Sequence, residues 1–89
     1  MDNLGSLQKV KPSNQLEQEI RRAVYNYHAS TDFKIHSFAQ QLVNGINYFV
    51  KFQADDSCYL AKVYSSFDQN SIEVIDVISC SLDDDIYYF

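Results

Sequence analysis

Between Leu16 and Tyr27 apolar residues recur at spacings of three and four. Leu16, Ile20, Ala23, Val24 and Tyr27 fall on one stripe of a helix, while Glu17, Glu19, Arg21 and Arg22 lie off it as a solvated face. Pro12-Ser13-Asn14 reads as the helix start, with Asn14 and Glu17 in capping-box spacing, and Ala29-Ser30-Thr31-Asp32 as its exit. After Asp32 the period changes from helical to two. Strands are predicted over Phe33–Leu42, Ile46–Gln53, Cys58–Ser66 and Ile72–Leu82.

In the second of these, Ile46, Tyr48, Val50 and Phe52 point one way and Asn47, Phe49 and Lys51 the other, which reads as a strand with one buried face. Asn44-Gly45 stands between the first two strands. Asn-Gly is a strong hairpin signal, because both residues tolerate the positive φ of a tight turn. Ala54-Asp55-Asp56-Ser57 is a turn by composition, and Phe67-Asp68-Gln69-Asn70-Ser71 breaks the pattern as a further hairpin tip. In the last strand, apolar residues at 72, 74, 75, 77 and 78 keep no single period, and a bulge near Val74-Ile75 reconciles them.

A single helix followed by consecutive antiparallel strands predicts an α+β fold, with one N-terminal helix packed across a curved antiparallel sheet. A helix of about 15 residues is roughly 22 Å long, and a strand of about eight spans roughly 26 Å, so the two match. Alternating strand direction brings the tips at 43–45 and 67–71 to one end of the sheet and the turn at 54–57 to the other.

Composition narrows the function classes. A chain of 89 residues with 46% hydrophobic and 15% aromatic content, two glycines and one proline is expected to form one domain over residues 1–89 with a packed core. A net charge of −5 argues against nucleic acid or an anionic membrane as partner. No apolar run approaches the roughly 20 residues of a membrane span. The segment Met1-Asp2-Asn3-Leu4-Gly5 lacks the features of a secretory leader, so a cytoplasmic location with reduced thiols is expected.

Candidate chemistry changes this picture little. His28 and His36 have no nucleophile or acid at informative spacing, and no phosphate loop or nucleophile elbow is present, so no enzyme and no cofactor are expected. Asp83-Asp84-Asp85 reads as a solvated acidic turn rather than a metal site. A second hairpin turning about Gln69 would set Cys58 opposite Cys80 on the sheet face away from the helix, as neighbouring thiols able to pair under oxidation.

Gln41-x-Val43-x-Gly45 running into Asn47-Tyr48-Phe49 resembles the first inhibitory hairpin of the cystatins, the stefin branch in particular. The resemblance extends over nearly the whole chain: Gly5, Lys11-Pro12 before a helix, Phe33-Lys34 opening a strand, and the terminal Tyr88-Phe89 follow in family order. Taken alone, Asn44-Gly45 is a structural turn; the wider resemblance makes it a candidate site. It implies a reversible, non-covalent inhibitor of papain-like cysteine proteases, of the cathepsin type. Such a protein inserts a three-part wedge into the active-site cleft.

By position the wedge maps to Leu4 and Gly5 in an extended inhibitory arm over 1–11, to Gln41, Leu42, Val43, Asn44 and Gly45, and to Phe67, Asp68, Gln69 and Asn70. A monomer is expected, with a domain-swapped dimer as its alternative. The chain departs from the pattern in two places. The link from helix to second strand is shorter than in typical stefins, and Phe67-Asp68 replaces the proline-bearing element of the second hairpin. Phe67 reads either as a strand-end core residue or as an aromatic anchor. The second departure leaves a non-inhibitory interaction module of the same fold as the alternative function.

Overall fold

The structure is a computed structural model and describes residues 7–9, 12–28, 33–68, 71–87 and 89. One helix, α1 (Asn14–His28), packs on an antiparallel sheet of β1 (Leu7–Gln8), β2 (Phe33–Val43), β3 (Gly45–Ala54), β4 (Ser57–Ser65) and β5 (Ile72–Cys80). Spatial order follows chain order from β1 to β5, so neighbouring strands from β2 onward are linked as simple hairpins. The expected α+β architecture is therefore present, with one addition. The arm contributes a short fifth strand, whose Leu7 and Gln8 pair with Gln41 and Gln40 of β2.

The helix starts one residue earlier than its capping box suggests. Ser13, not Asn14, is the cap: the Leu16 amide donates to Ser13 Oγ at 3.3 Å and the Glu17 amide to Ser13 O at 2.8 Å. Glu17 instead pairs one turn on with Arg21, at 3.3 Å. Leu16, Ile20 and Val24 are buried against Tyr48, Val50, Phe52, Ala54, Ala61 and Val63, which form the main core. Tyr27 leaves the stripe and is 58% exposed. The helix exit predicted at 29–32 lies outside the described residues.

The expectation of a β3 with one buried face is overturned. Phe49 and Lys51, on the side away from the helix, are buried as well, Phe49 completely. The C-terminal tail covers that side, making a second small core of Ala39, Phe49, Leu60 and Ile86, flanked by Leu7, Ile78, Cys80 and Phe89. Phe89 meets the Phe49 ring edge-on at 5.5 Å, and Lys62 Nζ lies 5.0 Å above the Phe89 ring. Lys51 Nζ donates to the carbonyls of Leu82 (2.8 Å) and Asp84, and Lys9 Nζ donates to the Asp85 carboxylate. The acidic turn is thus a strap tied down by two lysines.

Two bulges shape the sheet, one in β2 and one in β5. One lies at His36, where the β2–β3 register shifts between Ile35 and Ser37. The other lies at Ile75, between the pairs Val63–Val74 and Lys62–Asp76. The second is the bulge expected from the broken period of β5. It places Ile72, Val74 and Val77 toward the helix, and Ile78 and Cys80 toward the tail.

Candidate functional site

The β2–β3 connection is tight: Val43 pairs with Gly45, leaving Asn44 alone at the apex. Gly45 has φ +117, and a Cβ built there would lie 2.6 Å from Ser65 O and 2.7 Å from Tyr64 Oη. Both facts require glycine. Asn44, by contrast, does not take the positive φ expected of it. Among described non-glycine residues the left-handed positions are Asp55 (φ 53) and Asp56 (φ 68), in the two-residue turn between β3 and β4. Asp tolerates that region at modest cost, which is how a turn without glycine closes.

Beneath the apex Gln41 and Asn47 are cross-strand partners, and Asn47 Nδ2 donates to Gln41 Oε1 at 3.2 Å. Gln41 is only 5% exposed, so it braces the hairpin rather than standing out from it. Leu42 is 46% exposed, Asn44 is exposed and Val43 is half-buried. Tyr64 reaches across from β4 and donates to Asn44 O at 2.5 Å, fixing the apex from the side. That strut was not foreseen. Its only sequence signal is a tyrosine on the tail-facing side of β4 just before the strand ends.

At the second tip, the Ser66 amide donates to Ser71 O at 3.1 Å and closes the loop. Ser66 Oγ donates to Asp68 Oδ1 at 2.7 Å and accepts from the Ser71 amide at 3.1 Å. With its neck held this way, the turn presents Phe67, 69% exposed. Of its two readings, the strand-end core residue is excluded. Gln69 and Asn70 lie outside the described residues, as do Leu4 and Gly5.

The pair Ile46–Ser65 brings the ends of β3 and β4 level, so the apex at Asn44 and the turn at Phe67 project from one end of the sheet. β1 runs antiparallel to β2, and its N-terminal end points toward the same apex. Among described residues no three His, Cys, Asp or Glu side chains are placed so that they could hold a metal ion, and no helix is long and apolar enough to cross a membrane. His36 Nε2 lies 3.2 Å from Gln53 Oε1, so this ring is tied to a β3 side chain.

A helix laid across an antiparallel sheet, with two hairpin tips at one end, defines a small α+β fold. A model of the cystatin domain matches residues 5–79, and the chain belongs to the cystatin family. It is 40% identical over 57 residues to Cystatin-A3 of Dictyostelium discoideum, a match covering 64% of this chain and 61% of that protein.

Proposed function

We propose that the protein is a reversible, non-covalent inhibitor of papain-like cysteine proteases of the cathepsin type. The arm around Leu4-Gly5 and the tips Gln41–Gly45 and Phe67–Asn70 enter the active-site cleft together. One observation carries this reading: two braced tips and the N-terminal end of β1 share one end of the sheet. A cleft that binds extended backbone accepts a curved hairpin, but the curvature keeps a carbonyl from the attack geometry cleavage requires. Leu42, Val43 and Phe67 supply apolar contact, and Gly45 allows close approach. The reading needs no cofactor and has the monomer acting in the cytoplasm. A domain-swapped dimer, which would straighten residues 41–45 into one strand, would consume the tip.

Titration of papain with the pure protein tests it, with loss of activity expected at a stoichiometric ratio. In the same assay Val43→Asp should weaken inhibition at least about tenfold, or about 1.4 kcal/mol, because a charge would be buried at the interface centre. The second reading, an interaction module without inhibitory activity, draws on the replacement of a proline element by Phe67-Asp68. Papain left fully active at excess protein would favour it.

A further inference from the structure

Cys58 and Cys80 are directly paired in the β4–β5 ladder, so their side chains stand on one face of the sheet, beneath the root of the tail. The register that achieves this differs from a simple turn about Gln69. Ser65 pairs with Ile72, one step off that expectation, and the extra residue Ile75 restores the step before the cysteines are reached. Directly opposed residues on antiparallel strands have Cα atoms about 4.5–5.5 Å apart, within the span of a disulfide. The two free thiols have their Sγ atoms 2.9 Å apart. Closure to a bond of about 2.05 Å therefore asks for less than about 1 Å of sulfur movement.

We infer that Cys58 and Cys80 form a thiol–disulfide exchange site, at which a low-molecular-weight disulfide of the glutathione class closes an intramolecular bond between β4 and the last residue of β5. One cysteine thiolate attacks a sulfur of oxidised glutathione, breaking its S–S bond and releasing one glutathione thiolate. The second cysteine, losing its proton to the medium, attacks the resulting mixed disulfide and expels the other glutathione. Two protein thiols are oxidised and one external disulfide is reduced to two thiols. Ser81 follows Cys80 directly, so the bond fixes the point from which the strap over Lys51 departs. It lies beside the Asp55-Asp56 turn, at the end of the sheet remote from both tips.

Burial and the neighbouring Cys58 push the Cys80 thiol up to about 12. Closure should therefore be slow at neutral pH and quicken as the thiolate fraction grows with pH. The closed form cross-links the second hairpin and restricts the unfolded chain, which should raise Tm by roughly 5–15 °C.

The test is equilibration of the folded, full-length chain with oxidised glutathione at mildly alkaline pH, followed by intact mass, peptide mapping and thermal denaturation. The expected product is a monomer lighter by two hydrogen atoms, with Cys58 linked to Cys80, no retained glutathione, and a raised Tm that dithiothreitol reverses. Cys80→Ser should instead keep one glutathione on Cys58, since nothing remains to expel it. The inference is overturned if wild type retains glutathione, links two chains, keeps both thiols free, or closes the bond only in urea. A Tm that does not rise on closure would equally reject it. None of these readouts depends on protease inhibition.

Discussion

Gly45 and Tyr64 act together. The backbone of one lies against the side chain of the other, and the tyrosine hydroxyl holds the carbonyl of Asn44 between them. Gly45→Ala adds a methyl 2.6 Å from Ser65 O at a φ that L-residues rarely adopt, so it should cost about 1–3 kcal/mol. Thermal denaturation checks the stability, and papain titration should show weakened inhibition as the apex shifts. Tyr64→Phe keeps the ring and removes only the donor. It should leave Tm within a few degrees, and the inhibition assay would show whether a fixed apex matters. Asn44-Gly45 was legible as a turn because glycine at that point has few other uses. Which residue carries the positive φ was not, since that depends on how many residues separate the paired positions.

At the level of the elements, periodicity located α1 and the four long strands. It also exposed the bulge in β5, because apolar residues serving two opposite cores cannot keep one alternation. Smaller signals were overridden by neighbours. Ser13 takes the cap that Asn14 also suits, leaving Glu17 to Arg21. β1 is too short to be read from a pattern and exists through its ladder to Gln40 and Gln41. The β3–β4 turn holds two aspartates in the left-handed region, where glycine is unstrained. Asp56→Gly should therefore stabilise the protein by about 0.5–1 kcal/mol, seen as a Tm raised by a few degrees.

For the whole molecule, the unforeseen part is the second core, because the apolar end of the tail does not say which surface it covers, and the acidic turn before it reads as solvated. What holds it is a buried lysine whose cation is met by carbonyls of the tail. Lys51→Met should preserve the main core and loosen the strap, costing about 1.5–3 kcal/mol in the loss of charge-assisted hydrogen bonds. Faster amide exchange over residues 82–87, with the helix little changed, is the expected signature. The strap also responds to acid. The hydrogen bond from Lys9 holds the Asp85 carboxyl below its usual value. A depressed value means the contact contributes above the ordinary aspartate range and is lost as pH falls through the lower, folded-state value. Asp85→Asn should flatten that acid-side dependence of exchange in the tail.

The two bulges have a further consequence. One lies in β5, an edge strand, and the other in β2 outside the two residues that pair with β1, while the ladder joining β3 to β4 is regular throughout. An open strand border is a template for pairing with another chain, and a kink spoils that template. Removing Ile75 altogether would leave every β4–β5 partner in place, Cys58 and Cys80 included, because the deletion and the register shift cancel. The fold would survive with β5 straightened into an unbroken β-branched border. Such a chain is expected to keep its helix content and melt cooperatively, yet to associate edge to edge at concentrations where the parent stays dispersed, as light scattering would report. The residue spoils a template for self-association by being one too many.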